Sequence, residues 1–301
     1  MSIMITGGAG FIGSSIADGL IKEGYEVIIV DNQIKQRKQN INSKAKKNDV
    51  DVCSSQLSEC FDSDVEAVIH NAALIKANES FLKTEEYFRN NVLGTLNVLE
   101  CCKNFNVKKF IFASSGGAIY GEQKKFPCDE LHEEKPINPY GMTKLMAEKL
   151  ILNFKKKYRM SNVILRYSNV YGPRQTEGAA SIFIKSIKNK KTIFINGDGN
   201  QTRDFVFVED VVDLNIKALK SKNNGIFNVS SETETSVNDI IEHLKKISKK
   251  YFKVEYRKIA AKEVLRSCLK NEKAKKAFNW HPKHSMEEGL RKTFEFWKNE
   301  N

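Results

Sequence analysis

Three observations predict an α/β fold for this 301-residue chain, a doubly wound parallel sheet with a smaller C-terminal lobe. A short apolar run, Ser2–Thr6, leads directly into a glycine turn and then a helix-length segment. Apolar strand-like runs then alternate with segments of helical periodicity as far as Tyr167. Beyond Tyr167 the alternation loosens into stretches rich in Gly, Asn and Pro. Strands that alternate with helices form parallel sheets covered on both faces, because each right-handed crossover lays a helix on the sheet.

The elements follow in order. Phe11–Glu23 reads as a helix, Tyr25–Asp31 as a buried strand and Ala67–His70 as a third strand. Thr84–Asn104 keeps Tyr87, Phe88, Val92, Leu96 and Leu99 in helical register. Lys109–Ser114 is a strand, Pro139–Tyr158 a helix and Asn162–Tyr167 a strand. Asn169–Gln175 and Asn196–Thr202 read as loops, Ile226–Val229 as another core strand and Val237–Lys250 as a helix. The expected division is a dinucleotide-binding (Rossmann) domain over residues 1–168 with 205–230 returning to it. Residues 169–204 and 231–301 then form a substrate-binding lobe.

Composition narrows the function. The charge of +12 comes with lysine clusters at Lys44–Lys47, Lys155–Lys157, Lys188–Lys191 and Lys245–Lys250. They lie far apart and carry no interleaved aromatic platform, so they read as solvated faces rather than a nucleic-acid surface. No apolar run reaches membrane-spanning length, and the first, Ile3–Ile5, stops at Gly7, so a cytosolic protein without a membrane partner is expected. Cys53, Cys60, Cys101, Cys102, Cys128 and Cys268 form no C-x-x-C pair, so free thiols and no metal site are expected.

Gly7-Gly8-Ala9-Gly10-Phe11-Ile12-Gly13 places G-x-x-G-x-x-G between strand and helix. Glycines allow the tight turn and the close approach of a pyrophosphate, and the helix start at Phe11 and Ile12 offers free N–H groups. Asp31 closes the next strand at the spacing of a ribose contact, with Asn32 beside it. A carboxylate there accepts ribose hydroxyls and repels a 2′-phosphate, and Lys35 and Arg37 come several positions later, so NAD is expected over NADP. Tyr140-Gly141-Met142-Thr143-Lys144 is a Tyr-x-x-x-Lys on one helix face. An ammonium beside a phenol favours phenolate, a base suited to a sugar hydroxyl.

With these residues in place, the chain resembles the extended short-chain dehydrogenases/reductases of the NAD-dependent nucleotide-sugar epimerase/dehydratase family, and most of all its UDP-hexose 4-epimerases. The resemblance is carried by Gly7–Gly13, by His70-Asn71-Ala72-Ala73, by Asn90–Thr95, by Ser114–Gly121 and by Tyr140–Lys144. It continues through Arg166–Arg174, Gly197–Phe205 and Trp280-His281-Pro282. It implies that Asp51 and Val52 sit at the adenine, Ala72, Ala73 and Asn90 along the cofactor, and Lys144 on the nicotinamide ribose. It also implies that Asn169 contacts the substrate phosphates and Arg203 pairs with the diphosphate. The family's catalytic hydroxyl falls on Ser115 when counted forward from Phe110–Phe112, and on Gly116 when counted back from Tyr120-Gly121. Ser115 is the expectation, with Ser114 as a strand-end hydroxyl. An arginine that relatives carry near the C-terminus is missing from Ala260-Ala261-Lys262-Glu263, which leaves Arg266 or Lys262 to supply that charge. Counting back from Trp280 puts Ser267 at the position that lines the hexose pocket, where a small residue leaves room for a 2-N-acetyl group. The family pairing implies a homodimer through Thr84–Asn104 and Pro139–Tyr158.

The resemblance also implies a reaction. Relatives that dehydrate place an Asp-Glu pair after the catalytic hydroxyl, where Gly116 and Gly117 stand here. The expected activity is therefore NAD-dependent 4-epimerisation of a UDP-hexose or UDP-N-acetylhexosamine through a 4-keto sugar. The alternatives are another nucleotide-sugar epimerase, reductase or dehydratase on the same scaffold, and a non-catalytic NAD-binding sensor or scaffold. Neither the base nor the sugar is named by the sequence.

Overall fold

A computed structural model describes residues 2–158, 160–258 and 264–300. Strand β1 (Ser2–Thr6) is buried along its whole length and runs through the glycine turn into α1 (Phe11–Lys22). Next come β2 (Glu26–Val30), β3 (Lys46–Asn48) and β4 (Val65–His70), then α2 (Ala77–Leu82) and α3 (Thr84–Phe88). A π-helical turn, Arg89–Leu93, joins α3 to α4 (Gly94–Asn104). β5 (Lys109–Ser115), α5 (Gly116–Tyr120), α6 (Pro139–Lys157) and β6 (Ser161–Tyr167) complete the first half. The second half runs β7 (Asn169–Tyr171), α7 (Ala179–Lys188), β8 (Ile193–Asn196), β9 (Thr202–Phe207), α8 (Val208–Lys220), β10 (Gly225–Val229) and β11 (Glu234–Ser236). It ends with α9 (Val237–Ser248), β12 (Val254–Arg257), β13 (Arg266–Ser267), α10 (Glu272–Phe278) and α11 (Met286–Asn299).

The main sheet has the order β10-β6-β5-β4-β1-β2-β3, with every pairing parallel. Successive β1 residues point to opposite faces, as the strand period requires. Ile3 and Ile5 join the core beneath α1 and α8, whereas Met4 joins the core beneath α4 and α6. Burial on both faces explains why these strands read as unbroken apolar runs. The strand order reverses between β1 and β4, so the glycine turn opens at the switch point where such sheets bind ligands.

The lobe has its own core, with Phe183, Ile184, Ile240, Leu244 and Phe294 from α7, α9 and α11 packed around Ile193, Ile195 and Phe207. A four-stranded sheet joins β11, β9 and β13, with β7 on β9, and a two-stranded parallel sheet joins β12 to β8.

Four expectations need correction. Asn169–Tyr171 is a strand rather than loop, because it pairs in parallel with Phe205–Phe207 and buries Tyr171. Phe205–Phe207 consequently belongs to the lobe's sheet, and the chain returns to the main body with α8, which packs on α1, and with β10. Lys46–Asn48, within a lysine cluster read as helix or loop, is the edge strand β3; charged side chains suit an edge. Thr84–Asn104 is one helical path broken by the π turn. Ala260-Ala261-Lys262-Glu263 lies outside the described residues.

Candidate active site

The glycine turn is packed too closely for side chains. A Cβ on Gly7 would stand 2.6 Å from Ala72 N, and one on Gly13 would stand 2.3 Å from Gly7 O. Ala9 N donates to Asp31 Oδ2 (3.0 Å) and Gln33 N to Asp31 Oδ1 (2.8 Å), which aims the carboxylate across the turn. Asn32 Nδ2 reaches Asp51 Oδ2 at 2.8 Å, so the ends of the segments after β2 and β3 meet as one surface. Val52 is buried against Gly94. Arg37 is nearer than its place in the sequence suggests: the chain folds back after Asp31 and sets Nη1 3.4 Å from a Cβ built on Gly10. A cation therefore does stand at the glycine turn.

On the other side of the switch point, His70 fixes the loop Asn71–Leu74. Thr95 Oγ1 donates to Asn91 O (2.7 Å), so His70 Nε2 must donate to Thr95 Oγ1 (2.9 Å). His70 Nδ1 then accepts from Thr6 Oγ1 (2.5 Å), which in turn accepts from Ala72 N. Burial, with Lys144 nearby, pushes His70 down to about 3 and keeps it neutral. Asn91 donates to Leu74 O and Thr143 Oγ1 and accepts from Leu74 N, tying this loop to α6. Oδ1 of Asn90 and both side-chain polar atoms of Asn71 are buried without a partner among the described residues. Closely packed glycines, an oriented carboxylate and unpaired buried amides fit a dinucleotide along the expected line from Asp31 to Asn90.

The catalytic candidates come together from β5 and α6. Pro139 opens α6, Asn138 caps it by accepting from Gly141 N (2.8 Å), and Tyr140 N donates to Ser80 Oγ (3.2 Å). Gly141 lets α5 approach, because a Cβ there would stand 2.4 Å from Ala118 O. That approach brings Ser115, at the start of α5, near enough to the Tyr140 phenol for its hydroxyl to favour the phenolate. Ser114 turns the other way and donates to Glu148 Oε1 (2.6 Å).

Burial governs the acid–base state of the pair. Burial pushes Tyr140 up to about 12, against the lowering effect of the Ser115 hydrogen bond. Burial likewise pushes Lys144 down to about 7, against the raising effect of Glu148. Lys144 Nζ sits 4.5 Å above the Phe112 ring. Desolvation is the largest influence on both groups, in the direction that keeps Tyr140 protonated, and the positive charge expected of bound NAD+ acts against it.

Beneath this trio lies a buried network that the sequence did not disclose. Arg166 and Glu148 are both fully buried, with Nη2 to Oε2 at 2.6 Å and Nε to Oε1 at 3.0 Å. Arg166 also reaches Glu134 and Tyr120 Oη (3.0 Å), and Tyr120 donates to Asn228 Oδ1 (2.8 Å). The one available signal was Glu148 standing a further turn beyond Lys144 on the same helix face.

On the lobe side, Asn169 is exposed at the start of β7. Arg203 and Ser267 are register partners on β9 and β13, with Arg266 opposite Thr202. Arg203 Nη1 donates to Thr202 O (2.8 Å). Arg266 forks onto Glu234 (3.0 and 2.6 Å) and covers the Phe126 ring at 4.1 Å, so the charge expected for a diphosphate is already paired here. Asp204 gathers the lobe's loops, accepting from Ser231 N (2.8 Å), Ser231 Oγ (2.9 Å) and Leu269 N (3.2 Å). Burial pushes Asp204 up to about 6 against those donors. Ser267 is buried beside Gly117, whose Cβ would lie 3.5 Å from its Oγ. Among the described residues no group of His, Cys, Asp and Glu could hold a metal, and the six cysteines are free thiols.

Residues 3–230 match the NAD dependent epimerase/dehydratase family. The chain belongs to that family. It is 43% identical to a putative UDP-glucose 4-epimerase of Methanocaldococcus jannaschii, over 99% of each chain. Its structure is similar to that of a UDP-glucose 4-epimerase with UDP-glucose from Thermotoga maritima, with a TM-score of 0.95 and 38% identity over 99% of this chain and 98% of that one. It is also similar to a Thermus thermophilus UDP-glucose 4-epimerase in complex with NAD, with a TM-score of 0.94 and 31% identity over 99% of each chain. Membership of this family accounts for the parallel sheet and for NAD as the cofactor.

Proposed function

We propose that the protein is an NAD-dependent 4-epimerase of a UDP-hexose or UDP-N-acetylhexosamine, working through a 4-keto sugar. The observation that carries this reading is the Ser115 hydroxyl acting on the buried Tyr140 phenol, on the helix that also bears Lys144, in a chain whose glycine turn fits a dinucleotide. Gly7, Gly10, Phe11, Ile12 and Gly13 would hold the pyrophosphate, Asp31, Asn32, Asp51 and Val52 the adenosine, and Ala72, Ala73, Asn90 and Lys144 the nicotinamide side. Bound NAD+ supplies the hydride acceptor and donor and adds positive charge beside the phenol. Tyr140 takes the proton of the sugar O4–H while Ser115 hydrogen-bonds the same oxygen. After the 4-keto sugar presents its other face, Tyr140 returns the proton. Gly116 and Gly117 offer no acid or base, so the chain has no group placed there to eliminate water. Asn169 and Arg203 would hold the diphosphate, joined by Arg266 when it exchanges Glu234 for phosphate oxygens.

The test is to incubate the protein with UDP-glucose, UDP-GlcNAc and their C4 epimers and separate the products. Interconversion within either pair supports the reading, and turnover of neither overturns it. A homodimer and a cytosolic location complete the proposal. Leu93, Met142 and Met146 stand exposed on the helical path from α3 to α4 and on α6, where a second copy would cover them. No described helix is long and apolar enough to cross a membrane. A monomeric mass by light scattering at micromolar concentration would contradict the dimer.

A further inference from the structure

Two of the lysine clusters that lie far apart in the sequence meet in the fold. Lys188 ends α7, and Lys190 and Lys191 lead on into β8. After α9 the chain runs through Lys249, Lys250, Tyr251 and Lys253 into β12. β8 and β12 pair in parallel with Ile193 opposite Val254, and Ile193 N donates to Lys253 O (2.9 Å). Both lysine segments therefore enter this small sheet from the same end. Lys190, Lys191, Lys249 and Lys250 are exposed and have no ion pair among the described residues. The neighbouring carboxylates are already taken, Glu242 by Lys245 (2.6 Å) and Glu255 by Lys253 (2.6 Å). Cations in the last turn of a helix answer its dipole, which accounts for Lys188 and Lys245. It does not account for Lys190, Lys191 and Lys250, which stand beyond the helices, or for the aromatic residues among them. Tyr251, next to Lys250, is 95% exposed. Ile193 and Ile195 point into the lobe's core, so Phe194 faces outward, where the Arg257 guanidinium lies 3.3 Å above its ring.

We infer that this end of the lobe is a docking surface for single-stranded nucleic acid, with the lysines on the phosphodiester backbone and Tyr251 and the Arg257–Phe194 stack under unpaired bases. The expectation of merely solvated faces rested on clusters that stay apart and lack a stacking platform. The pairing of β8 with β12 supplies both features in one place. Unpaired bases stack on aromatic rings and on arginine planes, while ammonium groups release the counterions of the backbone. A duplex hides its base faces and gains only the charge. The surface shares no residue with the proposed epimerase site, so it stands or falls independently of that reading.

The test is fluorescence anisotropy of the full chain with labelled oligouridylate and oligothymidylate of about 15 nucleotides. Sedimentation with phosphatidylglycerol vesicles runs beside it. Wild type should bind at least one oligomer, with an affinity that falls steeply as salt rises, and the tighter of the two tells RNA from DNA. Lys190→Glu with Lys191→Glu, or Lys249→Glu with Lys250→Glu, should weaken binding about tenfold or more and flatten the salt dependence. Lys155→Glu with Lys156→Glu, exposed at the end of α6, should leave it within about twofold. Tyr251→Ala keeps every charge and should weaken it about fivefold or more. All of these positions are exposed, and an unchanged far-ultraviolet spectrum checks that each variant folds. Equal weakening by the reversals in the lobe and on α6 would reduce the binding to the chain's overall charge of +12 and overturn the inference. Tyr251→Ala at wild-type affinity, no binding of either oligomer at low salt, or binding of the vesicles alone would overturn it too.

Discussion

The two sides of the site are held by different forces. Around Tyr140 and Lys144 the supporting pair is fully buried: Glu148 and Arg166 meet without solvent, with the partly exposed Glu134 as a second carboxylate on Arg166, and they anchor Ser114 and Tyr120. Across the cleft, Arg266 pairs with Glu234 in the open, 54% and 26% exposed, and Asn169 faces solvent. A buried network fixes geometry in a low dielectric, where groups need no rearrangement at the moment of reaction. An exposed pair is worth little, is screened by salt and exchanges partners readily. The side proposed for the chemistry is thus preorganised and the side proposed for the diphosphate adjustable. Changes on the first side should act on kcat or on folding, and changes on the second on KM.

The largest effect should come from Tyr140→Phe. It removes the proposed base and leaves the aromatic ring in place, so kcat should fall by about two to four orders of magnitude while NAD remains bound. Single-turnover rates of the folded variant check this, and a kcat near wild type would place the base elsewhere. Next in size is Glu148→Ala, which takes from Arg166 its buried carboxylate and leaves it only the partly exposed Glu134 and the Tyr120 hydroxyl. Breaking a buried pair from one side costs about 3–5 kcal/mol, read by urea denaturation. A loss below about 1 kcal/mol would mean that solvent already reaches the pair, and the contrast between the two sides would fail.

His70 sharpens the contrast through pH. Its folded pKa, near 3, lies below the ordinary value of 6.5. Between those values the unfolded chain binds the extra proton and the folded protein does not. This contribution to stability is therefore whole above about pH 6.5 and is lost as pH falls toward 3. Unfolding midpoints at pH 7 and pH 5 should show wild type weakening more on acidification than His70→Asn; equal weakening would refute a neutral buried His70. The smallest effect is expected of Glu234→Gln. Freeing Arg266 for phosphate oxygens should lower KM for the UDP-sugar by about two- to fivefold with kcat held, and added salt should erase the gain. A change in kcat instead would show that the lobe also sets the chemistry.

The same division governs how much was legible in the sequence. The main sheet announces itself because each β-α unit is local and each strand is buried on both faces, so β1, β2, β4, β5 and β6 stand out as apolar runs. The glycine turn and Tyr140–Lys144 are equally local, and their partners follow from spacing. The lobe's sheets join short segments far apart in the chain, β7 with β9 and β13, and β8 with β12. Two-residue Arg266–Ser267 carries no periodicity of its own. Side-chain pairing was equally hidden: nothing in the order of residues set Arg266 on Glu234 or Arg37 beside Gly10. Burial of Tyr140 and Lys144 was hidden as well, since spacing reports that they share a helix face but not how far they are shielded from water.

The most direct test of the whole account is to follow UDP-glucose carrying deuterium at C4 by NMR. If Tyr140 handles only the O4 proton and the C4 hydrogen leaves and returns as hydride, the UDP-galactose formed should keep its deuterium at C4 in ordinary water, and the Tyr140→Phe variant should form almost none. Washout of the label into solvent during inversion, or inversion that survives loss of the Tyr140 hydroxyl, would contradict the account.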